Sequence, residues 1–252
     1  MGALRRLFGL LLLLIFVGVI GATVAYVKTL SELPEMETSD QVAARVGDSV
    51  QAQRAAAANG ARDARIAPFR VVPPALLGSR LARTFLVARG CPGYLAAPVP
   101  TALDFWQSVL AGRGSSGCAA AMAEELADRL RPAGSFERHV AADRIRVRLG
   151  REGLFALWLS ALPFTPGGPQ GVAEASERLF HVPPAMLAWG QSAELVLAAT
   201  HWDEAASCEN PPLLRARRDG LLRGVAEVEP AQRAAILAEM QEPVFCARPA
   251  GS

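Results

Sequence analysis

The chain is 252 residues long and carries 26 lysines and arginines against 24 aspartates and glutamates. A net charge of +2 leaves no polyanion footprint and argues against a nucleic-acid partner. Alanine and leucine dominate and aromatic residues are 6% of the total, which favours helices over sheets in one domain with an appendage.

The N-terminus carries the plainest physical signal. Arg5 and Arg6 precede an uncharged run over residues 7–27, closed by Tyr26 and by Lys28, the only lysine. About 20 apolar residues cross a bilayer, and this run reaches that length. The arginines are expected to stay cytoplasmic, with the rest of the chain exported. A cleavable signal peptide would have an apolar core of about 7–15 residues and a small-x-small cleavage site, so an uncleaved single-span anchor over residues 1–28 is the better fit.

Residues 29–60 are polar and alanine-rich and read as a stalk, with a helix expected over 41–58. A globular domain is expected over 61–228. Its first segment, RIAPFRVVPP, has the β-branched and proline content of an edge strand or extended lead-in. Pro73 and Pro74 lead into ALLGSRLARTFLVA, where Leu77, Leu81 and Phe85 recur every four residues on one helical face. GCPGYLAAPVPT reads as loop. TALDFWQSVLAG reads as a short helix, with Thr101 as cap and Asp104 three residues on. CAAAMAEELADRL sets Met122, Leu126 and Leu130 on one stripe, with Glu124, Glu125 and Asp128 off it. RIRVRL, residues 144–149, fits a strand by alternation and a helix by its neighbours.

GLFALWLSAL, residues 153–162, has no charge and only the hydroxyl of Ser160. It is too short to span a membrane and long enough for a buried helix. PFTPGGPQG is loop by its prolines and glycines. Helices are expected over 171–180, over 183–199 with Pro183 in the first turn, and over 211–226. The tail, 229–252, is expected to hold a short helix and an irregular end.

Cys91, Cys118, Cys208 and Cys246 permit two disulfides in an exported domain, in any of three pairings. None has C-x-x-C spacing, and His139, His181 and His201 are scattered, so the sequence calls for no metal and no cofactor. Arg138, Arg144, Arg146, Arg148 and Arg151 form a basic cluster. It suits diphosphate oxygens, anionic headgroups or a solvated face. Trp106, Trp158, Trp189 and Trp202 offer sugar-stacking rings, although Trp158 and Trp189 sit in apolar stretches that fit a core.

The stretch GVAEASERLFHVPPAMLAWGQSAELVLAATHWDEAASCENPPLLRARRDGLLRGV resembles the peptidoglycan glycosyltransferases. This is glycosyltransferase family 51, the monofunctional transglycosylases and the glycan-polymerising half of class A penicillin-binding proteins. In that family a G-V-x-x-A-A-x-x-Y-F-G segment precedes an A-x-L-A helix, a proline-containing loop and an A-x-x-R-R-x-x-V-L helix. Gly171, Val172, Phe180, Ala193, Leu195, Pro211, Arg217, Arg218 and Leu221 stand at comparable positions. VVPPALLGSRLA is similar to the family's opening S-P-x-L-x-x-A-x-x-A. The likeness covers residues 62–226 and rests on the order of segments.

The resemblance implies a mostly α fold: a lysozyme-like transglycosylase domain behind a single N-terminal transmembrane helix. It implies lipid II as substrate, one glutamate as general base, and a second glutamate with basic residues assisting departure of the diphosphate. The family's catalytic positions differ here. The Glu-Asp of its first motif falls at Thr84 and Phe85. CAAAMAEELAD replaces G-G-S-T-I-T-Q-Q-L-x-K, so the glutamines become Glu124 and Glu125 and the lysine becomes Asp128. R-K-x-x-E survives as Arg138-His139 with Ala142. In I-L-E-x-Y-L-N, Ala156 stands for the glutamate, Trp158 for the tyrosine and Ser160 for the asparagine.

The expectation is therefore an extracytoplasmic protein of the inner membrane, without glycan-polymerising activity, that acts in envelope assembly by binding lipid II, a glycan strand or an envelope-assembly protein. The alternative is an active polymerase with rearranged acids, with Glu124 or Glu125 as the base. Arg138, Arg144 and Arg148 are the candidates for holding a diphosphate.

Overall fold

A computed structural model describes residues 2–32, 72, 76, 79–96, 117–130, 134–164, 169–200 and 210–244. The expected helices over 41–58 and 101–112 lie outside them, as do the RIAPFR segment, Pro73, Pro74, Leu77, Asp104, Trp106, His201, Trp202, Cys208 and Cys246.

The described chain is mostly helical. The helices are α1 (Gly2–Glu32), α2 (Arg80–Ala88), α3 (Cys118–Asp128), α4 (Ser135–Ala161), α5 (Gly171–Phe180), α6 (Trp189–Thr200), α7 (Pro211–Val228) and α8 (Arg233–Ala238). Helix α1 contains one stretch, Phe8–Ser31, long and apolar enough to cross a membrane, and none of its most apolar part is buried in the protein.

Helix α2 starts later than its apolar periodicity suggests. Ser79 caps it, its Oγ accepting from the Ala82 N–H at 3.3 Å. A serine there satisfies an orphan donor that Pro73 or Pro74 could not. Leu81 and Phe85 face the core.

RIRVRL is helical. Ile145 and Leu149, four apart, turn inward while Val147 points out and is 72% exposed. Neighbouring α3 lies along α4 and buries one face only, so the helical period decides over the alternation. Helix α4 breaks at Gly150, whose φ of 63° and ψ of −171° suit glycine, and then resumes. The resumed half is the uncharged run, and every residue from Leu154 to Ala161 is buried. Fully burying each of its leucines contributes roughly 1.5–3 kcal/mol.

The helix expected over 183–199 is shortened. Pro183 is extended, at ψ 149°, a 3₁₀ turn covers Pro184–Met186, and α6 begins only at Trp189. A residue before proline is disfavoured in the α region, so Pro184 holds Pro183 out of the helix. Gln191 then closes the start, its Oε1 accepting from the Ala188 N–H at 3.0 Å.

The main core gathers Leu81, Phe85, Met122, Leu126, Phe155 and Leu195 from α2, α3, α4 and α6. A second cluster joins Trp189 and Ala193 of α6, Leu222 and Val225 of α7, and Ile236 of α8, so residues beyond 229 fold back onto the domain.

Cys91 and Cys118 are bonded, with Cα atoms 6.1 Å apart. The bond closes a loop with a sequence separation of 27 and ties the turn after α2 to the first residue of α3. A loop of that length implies about 3.5 kcal/mol of stabilisation through the unfolded chain. The double variant Cys91→Ser/Cys118→Ser is expected to lose about that much in urea denaturation; an unchanged midpoint would contradict it.

Tyr94 follows this turn and lies 5.7 Å, centroid to centroid, from Phe155. Its hydroxyl donates to the Arg151 carbonyl at 2.9 Å. Burial pushes its pKa from 10.0 up to about 12. Its contribution is thus complete below pH 10 and is lost as pH rises towards 12, because the unfolded chain gives up the proton first. Tyr94→Phe is expected to flatten the fall in urea stability between pH 10 and 12 while costing about 1 kcal/mol at pH 8 for the lost hydrogen bond.

Candidate functional site

Four helices enclose a cleft of about 480 Å³. Three of them present residues at the i, i+3, i+4 spacing of one helical face. Helix α2 contributes Phe85, Ala88 and Arg89; α3 contributes Glu125, Asp128 and Arg129; α6 contributes Val196, Ala199 and Thr200. The end of α4 adds Trp158, Leu162 and Pro163.

Trp158 organises the floor. Its ring meets Phe85 edge-on, with centroids 5.8 Å apart, and lies nearly parallel to Phe155. The Arg89 guanidinium stands over it, 4.8 Å from the centroid. Both oxygens of Glu125 are engaged. Oε1 pairs with Arg89, and Oε2 accepts from the Trp158 indole N–H at 2.6 Å. The pair is partly solvated, with side chains 31% and 44% exposed, so it adds little stability. It does set what the cleft offers a ligand: a part-exposed cation seated on a buried indole, and a carboxylate already committed.

Thr84 and Ala156, the positions matched to the family's glutamates, do not reach the cleft. Thr84 is fully buried, and its hydroxyl donates to the Arg80 carbonyl at 2.7 Å. Ala156 is buried in the main core. Glu124 and Glu125 are neighbours in sequence but about 100° apart around α3. Glu125 turns to the cleft, while Glu124 faces His139, its Oε1 lying 3.1 Å from Nδ1. The cleft's two carboxylates, Glu125 and Asp128, stand on α3, and among the described residues the facing walls supply none.

Arg138, Arg144 and Arg148 do not line the cleft. Arg138 lies 3.4 Å from Asp128. Arg144 donates to the Leu30 carbonyl of α1 at 3.0 Å. Arg148 is exposed on α4. The cations at the cleft are Arg89 and Arg129 instead. Arg89 follows Phe85 by four residues, so the apolar stripe of α2 already pointed to it; its partner Glu125, 36 residues away, did not.

Cys91 and Cys118 pair beside the cleft, joining two of its walls. Ser160, matched by sequence to an asparagine of the resembled family, is buried; its Oγ accepts from the Val72 N–H and donates to the Ala156 carbonyl, both at 2.7 Å. Among the described residues no group of His, Cys, Asp and Glu gathers as a metal site. No known family's profile matches this chain, and no curated protein does.

Proposed function

We propose that this chain is a membrane-anchored, extracytoplasmic protein with the lysozyme-like scaffold of the peptidoglycan glycosyltransferases, and that it binds rather than polymerises. It sits in the inner membrane by α1, with Arg5 and Arg6 on the cytoplasmic side and the helical domain in the periplasm. Its cleft takes a lipid-linked precursor such as lipid II, a glycan strand or an envelope-assembly protein.

One observation carries the reading. Glu125, the carboxylate at the cleft's aromatic floor, has one oxygen on Arg89 and the other on the Trp158 indole. A general base must come within hydrogen-bond reach of the hydroxyl it activates. Here an acceptor sugar would first have to displace one of these donors. Arg89, held over the indole and part-exposed, instead suits a ligand that brings an anion to the cleft.

The test is lipid II polymerisation by the full chain in detergent, beside fluorescent lipid II and glycan-strand binding. No glycan product is expected. Binding is expected to weaken about tenfold in Arg89→Ala, the scale of losing one charge-assisted hydrogen bond. Product that forms and then vanishes in Glu125→Gln would replace this reading with the active polymerase. Absence of binding to either saccharide, with co-purification of an envelope protein, would leave the protein partner as the ligand.

A further inference from the structure

Helix α1 is not exposed along its whole length. Its residues are open to the surroundings from Phe8 to Gly21, but Ala22, Tyr26, Thr29 and Leu30 are half-buried. Their i, i+4, i+7, i+8 spacing is one helical face, and α4 lies against it. The Tyr26 hydroxyl donates to Asp143 Oδ2 at 3.1 Å, and Arg144 Nη1 donates to the Leu30 carbonyl at 3.0 Å. Arg146 pairs with the same Asp143.

This contact sets the depth of α4. A hydrocarbon core of about 30 Å takes about 20 residues at 1.5 Å each, so a slab entered at Phe8 ends near Val27. Asp143 and Arg144 meet α1 at that exit, in the headgroup layer. One turn further along α4, Val147 projects outward and is 72% exposed. Arg148 beside it is exposed too, whereas Arg144 and Arg146 are half-buried at the α1 contact and Arg151, past the break at Gly150, donates to the Leu95 carbonyl at 2.8 Å. An exposed apolar side chain next to an exposed arginine suits the boundary between headgroups and acyl chains, and positive charge there is attracted to anionic lipid.

We propose that the 144–148 turn of α4, with Val147 and Arg148 as its exposed residues, is a second membrane contact seated on anionic phospholipid headgroups. It rests on the anchoring proposed above and adds to it. A lone span leaves a domain free to swivel, whereas a span plus a headgroup contact holds the cleft at one height and one tilt above the bilayer.

The test uses the full chain in nanodiscs of phosphatidylcholine alone, or of phosphatidylcholine mixed with phosphatidylglycerol. A spin label is placed at Val147→Cys, with the labelled parent chain subtracted. The ratio of oxygen to water-soluble nickel-chelate accessibility is expected to rise about threefold in the anionic discs and to fall back in Arg148→Glu, as charge-driven insertion requires. The same low ratio in both lipids would overturn the proposal. So would a high ratio in both that drops when each disc holds a single chain, which would make a second copy the occupant. Release of the chain from membranes by alkaline carbonate would sink the anchoring reading as well; retention with a water-exposed label would sink only this one.

Discussion

Replacing Arg218 by alanine is expected to destabilise the domain by about 3–5 kcal/mol, the cost of stripping one partner from a buried ion pair. Arg218 is a charged side chain only 1% exposed. Its Nη1 reaches Glu194 Oε1 at 3.3 Å and the Glu242 carbonyl at 3.0 Å, its Nη2 donates to the Met240 carbonyl at 3.1 Å, and its Nε donates to Asp219 at 3.0 Å. The side chain therefore joins α6 and α7 to the segment after α8. Alanine would leave Glu194, itself 9% exposed, facing two carbonyls across a void. The double variant Arg218→Met/Glu194→Leu, which removes the two most buried charges, keeps most of the volume and leaves Asp219, 14% exposed, at the edge, is expected to recover part of the loss. Urea denaturation of the full chain in detergent, followed by circular dichroism, measures both. A single-variant loss below about 1 kcal/mol would mean that the cluster is better solvated than its burial implies.

Much of the helical framework is legible in the sequence because helices announce themselves locally. The expected helix over 171–180 coincides with α5, whose ends Gly171 and the apolar pair Leu179–Phe180 mark. Pro211 opens α7 where its missing N–H does no harm, and the side chain of Asn210 caps the start, accepting from the Leu213 N–H at 3.2 Å. The uncharged run over 153–162 has only one stable environment away from lipid, and it is buried accordingly. RIRVRL is ambiguous by sequence because three arginines alternating with three apolar residues satisfy both periods; α3, packed on one side, chooses between them.

The cleft was less legible, for a different reason. Its members come from four helices, and its central pair, Arg89 and Glu125, meets only in three dimensions. Sequence marked Glu124 and Glu125 together, but a helix lets only one of two neighbours face a given wall, and which one depends on where α2 and α4 pack. Trp158 fits a core by its neighbours, and it does fill the core; its indole N–H nevertheless reaches the cleft carboxylate, because tryptophan combines a large apolar body with one polar edge. The basic cluster of α4 suits diphosphate, headgroups or solvent by its sequence; none of its arginines lines the cleft, and Arg144 reaches α1 instead. A run of like charges shows that a surface exists, not what it faces.

The other large effect is expected at Gly171, where alanine should cost at least about 4 kcal/mol, the range kept for changes that no local adjustment absorbs. Gly171 adopts φ +72°, and a Cβ there would lie 2.1 Å from the Ser160 carbonyl oxygen and 2.7 Å from its carbon. The obstacle is backbone, not the end of a side chain, so it cannot swing aside. It is also held in place. The Gly171 N–H donates to the Leu162 carbonyl at 2.8 Å, Pro163 and Gln170 form an antiparallel bridge, and Ser160 Oγ is fixed between Val72 and Ala156. Moving Ser160 to admit a methyl group would shift the end of α4 and with it Leu162 and Pro163, two residues of the cleft wall. Gly171→Ala should therefore lower the denaturation midpoint and loosen ligand binding together. Gly220→Ala serves as the contrast. Gly220 lies inside α7 with nothing within 4 Å of a built Cβ, so alanine there should raise stability by about 0.5–1 kcal/mol. If the two variants proved equally stable, the close approach of Gly171 to Ser160 would not be a feature of the folded protein.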